Sequence, residues 1–143
     1  MSVATIYLDA SVLVALLTDD ALTKRADAFL RSNGALLIVS DFAAAEVASV
    51  IARHVRTGDI TPDDARTVFS TFDAWTARTA QRAEIKAADV SVAATFLRRL
   101  DLALRTPDAI NIAVAQRLEA SLLTFDVKMI ACARALGSAI AEA

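Results

Sequence analysis

Residues 4–17 read ATIYLDASVLVALL, and the way they divide decides the fold. The first part is a short apolar run that reads as a buried strand ending at Asp9. The second, ASVLVALL, carries a helical pattern. A strand that hands over to a helix at an acid is the start of a strand–helix unit, and two later stretches have the same form. ALLIVS (35–40) is followed from Asp41 by the helical FAAAEVASVIARHVRTG, where Gly58 is placed as a stop signal. ASLLTF (120–125) is followed by Asp126 and the helical VKMIACARALG.

The connecting stretches fill in the order. Asp19 and Asp20 open a helical piece, ALTKRADAFLRS, which stops near Asn33-Gly34. TPDDARTVFSTFDAWTAR (61–78) is a helix with Ala65, Val68, Phe69, Phe72 and Trp75 on its apolar face. A third strand is expected at AEIKA, Ala83–Ala87, with Asp89 capping the helix VSVAATFLRRL. In TPDAINIAVAQRL (106–118), Thr106 is placed to cap a helix and Pro107 suits its first position. Asp108 then falls in the first turn, where an acid complements the helix dipole. SAIAEA at 138–143 is expected to add a last edge strand. Continuous apolar strands alternating with helices imply a parallel sheet covered on both faces, an α/β fold. The 143 residues read as one domain spanning 1–143, without internal repeat or linker.

Composition narrows the classes. Hydrophobic residues make up 56%, with three Gly and two Pro, which excludes a disordered or low-complexity chain. The longest apolar stretch, Ala35 to Ala52, is interrupted by Asp41 and Glu46, short of the roughly 20 residues a spanning helix needs. No Lys or Arg precedes SVLVALL, and Asp9 lies just upstream, so the N-terminal stretch is a poor signal peptide. A soluble, cytoplasmic protein with no membrane partner is expected. The single Cys132 builds no disulfide framework and sits in an Ala-rich helical pattern, as a small core residue would. The net charge of −2 leaves no general basic footprint, although Arg supplies twelve of the fifteen cationic residues.

Several acids stand out against their surroundings. Asp9 and Asp126 each end a strand, and in a parallel sheet sites form beyond the strands' carboxyl ends. Each could equally turn the chain or cap the next helix. Glu46 lies on a helix that is apolar nearly all round, with Phe42, Ala43, Ser49 and Val50 at three- and four-residue spacings and no Lys or Arg among them. Such a carboxylate reaches solvent, pairs elsewhere or binds a cation. Asp108 heads a helix apolar enough to be buried, with Asn111 a turn later on the same face. Four converging carboxylates would repel one another, and a hard divalent cation would remove that conflict. Ligation by oxygen alone suits Mg²⁺ or Mn²⁺.

Other chemistries lack their residues. There is no Gly-rich phosphate loop, no G-x-S-x-G, no C-x-x-C and no H-E-x-x-H. The only histidine, His54, lies beside Arg53 and Arg56, as on a solvated helix end. Ser11 has no adjacent His to activate it, and fits better as a hydrogen-bond support for the carboxylates.

Taken in order, YLDASVLVALL, AAAEVASVI, TPDAINIAVAQRL and LLTFDVKMIACARALG resemble the successive acidic motifs of PIN-domain ribonucleases, most nearly the VapC-type toxins of bacterial toxin–antitoxin pairs. The resemblance covers essentially the whole chain. It implies a three-layer α/β/α sandwich with a mostly parallel five-stranded sheet. It further implies Mg²⁺ or Mn²⁺ held by Asp9, Glu46, Asp108 and Asp126, with Ser11 and Thr124 supporting the pocket. Many relatives carry His where this sequence has Asn111; Asn can bond to a carboxylate or phosphate and counts here as a supporting residue. The activity implied is hydrolysis of RNA, single-stranded or looped, by an activated water, leaving a 5′-phosphate and a 3′-hydroxyl. A small antitoxin protein and a homodimer are the implied partners. Arg53, Arg56, Arg98, Arg99 and Arg105 are candidates for contacting RNA, with ordinary solvated faces the simpler reading for most. The Phe69, Phe72 and Trp75 stripe reads as core packing, whereas in relatives this region helps form the antitoxin groove.

Two other functions compete. A PIN-like fold could keep its acids and serve as a regulatory or RNA-binding module without turnover. A receiver-like or phosphatase protein would also use Mg²⁺, but needs an acid pair after the first strand or an Asp-x-Asp nucleophile, and LDASV supplies neither.

Overall fold

The computed structural model describes residues 4–32 and 34–143; Asn33, expected to mark a helix stop, lies outside them. Strand β1 (Thr5–Leu8) lies between β2 (Leu36–Ser40) and β4 (Ser121–Leu123), with β3 (Ala80–Ala83) beyond β2. Every pairing is parallel, with Tyr7 opposite Ile38 on one side and Leu122 on the other. Parallel neighbours require crossovers. Helices α1 (Ala10–Leu17) and α2 (Thr23–Ser32) supply the first, α3 (Asp41–Arg56) and α4 (Pro62–Thr79) the second. Helices α5 (Ala87–Leu97) and α6 (Thr106–Arg117) carry the chain to β4, and α7 (Val127–Ala135) follows it.

The two-residue period of the strands builds two cores. Ile6, Leu8, Val39 and Leu123 face α1–α4, where Val12, Leu13, Val47, Ile51 and Phe72 meet them. Tyr7, Ile38 and Leu122 face the other way, against Ala93, Ile112, Val114 and Met129. Full burial of one Leu- or Ile-sized side chain contributes about 1.5–3 kcal/mol, so the alternation along β1 supports both layers at once. The result is the expected α/β/α sandwich. Helix α6 is buried without a break from Ala109 to Ala115, because it is covered by the sheet on one side and by α5 on another. Small residues there, Ala109 and Ala113 with Ala93 of α5, let the helices approach closely.

Four local expectations are corrected. The third strand is Ala80–Ala83, not Ala83–Ala87, and α4 runs straight into it. Its sequence, AQRA, carries no strand signal; the ladder with β2, Leu37↔Ala80 through Ser40↔Ala83, fixes it. Asp89 does not cap α5. Lys86 occupies the N-cap position, and Asp89, three residues on, reaches back to the Lys86 backbone N–H at 2.8 Å. The expected fifth strand is a single parallel bridge between Leu122 and Ile140. Among the described residues the sheet therefore has four strands.

The fourth correction concerns the two Thr-Pro-Asp sequences. In α4, Thr61 is the N-cap, and its hydroxyl accepts from the Asp64 N–H at 3.1 Å. In α6 the helix begins one residue earlier, at Thr106, with Arg105 in the N-cap position and no side-chain cap. Asp108 is thereby moved to the third helical position, where its carboxylate lies 3.5 Å from Arg105 Nε. The same tripeptide leaves Asp63 in solvent, paired with Arg66, and turns Asp108 inward at the edge of the sheet.

Candidate active site

The carboxyl ends of β1, β2 and β4 share one edge of the sheet. Directly after β1, Asp9 caps α1 and is 7% exposed. Its Oδ2 accepts from the Ser11 hydroxyl at 2.8 Å, the Ser11 N–H at 3.3 Å and the Thr124 hydroxyl at 2.9 Å. Each hydroxyl is fixed in turn by an N–H from the segment after β4. Ser11 accepts from Phe125 at 3.1 Å, and Thr124 accepts from Asp126 at 3.1 Å. Asp126 caps α7 through Oδ1, which accepts from the N–H groups of Lys128 and Met129. Asp9 and Asp126 are thus caps, as their strand-end positions allow. Each does so with one oxygen, and among the described residues its other oxygen takes no hydrogen bond.

Glu46 reaches the same edge from α3. Its Oε1 accepts from Asn111 Nδ2 at 2.6 Å, and Asn111 also donates to the Pro107 carbonyl at 3.0 Å. Asn111 Oδ1 accepts from the Tyr7 hydroxyl, which lies 2.6 Å from the Ser40 hydroxyl. Ser40, the N-cap of α3, accepts from the Ala43 N–H at 2.9 Å. Tyr7, Ser40 and Asn111 are all buried. Sequence reading missed Tyr7 and Ser40. An aromatic in an apolar strand reads as core and a Ser before a helix as a cap, and both readings are also true.

Asp108 stands at the N-terminus of α6, half-buried, with its Oδ2 3.5 Å from Arg105 Nε. It borders an open cleft of about 550 Å³ whose lining includes Leu104, Arg105, Asp126 and Lys128. The acids sense one another. Burial, with the charges of Asp9 and Asp108, pushes the Glu46 carboxyl up to about 7, against the lowering effect of Asn111 and Arg105. Asp108 is raised as well, first by burial and then by Asp126 and Asp9, while Arg105 and its backbone N–H oppose the rise. The phenol of Tyr7 is held far above its usual range, chiefly by burial.

The residues singled out in the sequence therefore fall into two groups. Asp9, Ser11, Glu46, Asp108, Asn111, Thr124 and Asp126 converge on the one edge. His54 lies about two turns further along α3 from Glu46. Cys132 is buried in α7. Phe72 belongs to the core, with Phe69 and Trp75 packed partly buried beside it. Arg99 is engaged with Asp101 and the Ala135 carbonyl.

The donor set suits a hard cation. It is all oxygen, one oxygen each of Asp9, Asp126 and Glu46 is spare, and the raised Glu46 and Asp108 carboxyls register a repulsion that a cation would relieve. Among the described residues, however, no three acidic, His or Cys side chains are gathered closely enough to hold an ion as they stand. Arg105 instead leans on Asp108.

Comparison with known proteins agrees with this architecture. The model of the PIN domain family matches residues 6–135. No curated protein matches the chain in sequence. Among solved structures, VapC20 of Mycobacterium tuberculosis, a sarcin–ricin-loop-cleaving toxin, superposes with a TM-score of 0.72 at 19% identity, over 88% of this chain and 93% of that one. VapBC2 of Rickettsia felis, solved with a DNA fragment from its promoter, gives 0.70 at 13%, over 96% and 97%. FitAcB of Neisseria gonorrhoeae gives 0.69 at 17%, over 96% of each chain. At these identities the likeness is one of fold. No helix among the described residues is long and apolar enough to cross a membrane.

Proposed function

The chain belongs to the PIN domain family, and from that premise we propose that it is a divalent-cation-dependent endoribonuclease, the toxin of a toxin–antitoxin pair. The observation that carries this reading is the convergence of Asp9, Glu46, Asp108 and Asp126 on one sheet edge, where burial, together with neighbouring acids, raises the Glu46 and Asp108 carboxyls. Asp9, Glu46, Asp108 and Asp126 would hold Mg²⁺ or Mn²⁺. When bound there, the cation would supply acidification of an attacking water and neutralisation of charge on the phosphate.

The chain's own residues do the rest. Ser11 and Thr124 keep Asp9 Oδ2 engaged and so aim its other oxygen into the pocket. One of the pocket's carboxylates would receive the proton lost by water. Arg105 and Lys128 line the cleft beside Asp108 and Asp126, where they can meet the phosphates of an RNA strand that the net charge does not attract. Arg53, Arg56 and Arg98 are not among the residues lining that cleft. Single-stranded or looped RNA is the substrate class, because its backbone bends into such a cleft.

The partners follow the same reading. An apolar depression lined by Leu13, Leu16, Leu17, Phe72 and Trp75 suits the apolar face of an antitoxin helix. The toxin acts as a homodimer in the cytoplasm.

Purified protein, freed of antitoxin, should cleave RNA with Mg²⁺ or Mn²⁺ and stop when EDTA is added. Asp9→Asn and Asp108→Asn should each reduce cleavage at least about 100-fold while remaining folded. Full-rate cleavage by either folded variant, or cleavage indifferent to EDTA, would overturn the assignment.

A further inference from the structure

The buried chain Ser40–Tyr7–Asn111–Glu46 has a direction, and the direction can be read from its donors and acceptors. The Ser40 Oγ accepts from the Ala43 N–H, so its own hydrogen is free for the Tyr7 oxygen. Tyr7 has one hydrogen, which goes to Asn111 Oδ1. With Oδ1 so occupied, the amide nitrogen of Asn111 faces Pro107 and Glu46, and its two hydrogens serve one each. Ser40 ends β2 and caps α3, whose second turn carries Glu46, while Tyr7 belongs to β1 and Asn111 to α6. The bonds therefore close a loop that leaves α3 at its cap, crosses β1 and α6, and returns to α3 at the carboxylate.

We propose that Tyr7 and Asn111 are positioning residues that fix the Glu46 carboxylate, holding Oε1 so that Oε2 is presented to the divalent cation. This rests on the reading of the pocket as a cation-dependent nuclease site. Three facts favour it over a purely structural role. Glu46 has no cationic residue one turn away on its own helix, so Asn111 is what restrains its rotation. Among the described residues Glu46 Oε2 takes no hydrogen bond. The phenol supplies a donor that Phe, of the same shape and equally suited to the core, would not; a strand that needed only packing at this 0% exposed position has no use for it. Groups behind metal ligands commonly change metal affinity 10- to 100-fold when removed, and Tyr7 acts one bond further back.

The test is Mn²⁺ binding to the purified full chain, read by calorimetry or by the paramagnetic signal of free Mn²⁺, with RNA cleavage measured in parallel. Tyr7→Phe should weaken Mn²⁺ binding about threefold to tenfold, and Asn111→Ala about tenfold or more. In cleavage at saturating Mn²⁺, kcat should fall while KM for RNA stays within about twofold. A merely structural role would lower Tm and leave the Mn²⁺ affinity of the folded fraction unchanged. If Tyr7→Phe does not fold, Asn111→Ala carries the same comparison. Wild-type Mn²⁺ affinity in either folded variant overturns the proposal and leaves the nuclease reading standing. No Mn²⁺ binding by the unaltered chain overturns both.

Discussion

Asp89 of α5 is gripped by Arg117 of α6, with Nε 2.7 Å from Oδ1 and Nη2 3.0 Å from Oδ2. The carboxylate is 2% exposed, and the same guanidinium bonds to the Glu84 carbonyl at 2.9 Å. This fork ties the turn after β3 to the helix that carries Asp108 and Asn111. Burial alone would raise the Asp89 carboxyl, but the bonds from Arg117 and the Lys86 N–H outweigh it and hold the carboxyl below its usual value. Such a group stabilises the fold above the ordinary carboxyl range, near pH 3.9, and loses that contribution as pH falls through its lowered folded value. Asp89→Asn should therefore destabilise by about 2–3 kcal/mol at pH 7 and by much less at pH 2.5. Urea unfolding at the two pH values measures this; an equal loss at both would sink the attribution to charge.

Glu46 predicts the opposite sign. Its carboxyl is raised to about 7 in the fold from an ordinary 4.5, so between those values the unfolded chain releases a proton that the folded chain keeps. Stability of the cation-free protein falls as pH rises through that window, and the deficit persists above it. Glu46→Gln removes the deficit. It should stabilise the protein in EDTA by about 1–2 kcal/mol at pH 8, allowing for solvent screening, and have little effect at pH 4.5. The same variant should lose Mn²⁺ affinity. Chemical denaturation in EDTA across pH gives the answer, and a flat difference between variant and parent would contradict it.

Thr124 and Ser11 should behave as more than caps. Thr124→Val keeps the shape but removes a buried donor to Asp9 and the acceptor of the Asp126 N–H. A loss of about 1–3 kcal/mol is expected, with cleavage down about tenfold, while Thr124→Ser should recover most of both. Ser11→Ala should resemble Thr124→Val, because it strands the Phe125 N–H in the same way. Thermal melts and initial rates measured on the same preparations are enough to tell.

Arg105 is exposed apart from its contact with Asp108, and belongs to the proposed phosphate contacts. In an Asp9→Asn background, where RNA binds without being cut, Arg105→Gln should weaken RNA binding. It should also make the slope of log affinity against log salt shallower by about 0.7, the value of one single-strand phosphate contact. An unchanged slope would remove Arg105 from the RNA path.

What could be read in advance follows from how each signal is written. β1, β2 and β4 are largely apolar, and the burial of their carboxyl ends is spelled out in side chains. β3 is not: Ala80, Gln81, Arg82 and Ala83 pair through backbone alone, and the apolar Ile85 drew the expected strand too far along. The acids were visible because a carboxylate among apolar neighbours is costly and needs a reason. Tyr7 and Ser40 were hidden because a phenol within a strand and a hydroxyl before a helix already have ordinary explanations. The start of α6 was misplaced by one residue because Thr106 and Thr61 look alike locally, whereas in the fold Thr61 caps its helix and Thr106 becomes the first residue of α6.

The hydroxyl lattice around Asp9 joins residues more than a hundred positions apart, Ser11 to Phe125 and Asp9 to Thr124. During synthesis the first acid leaves the ribosome long before the strand that completes its surroundings. Until β4 has emerged and docked beside β1, Asp9 lacks the Thr124 hydroxyl and the pocket lacks Asp126. A growing chain would therefore lack the complete proposed site, and premature termination upstream of β4 would yield fragments without the proposed activity. The order in which the sequence is written thus sets when the proposed site can first be complete.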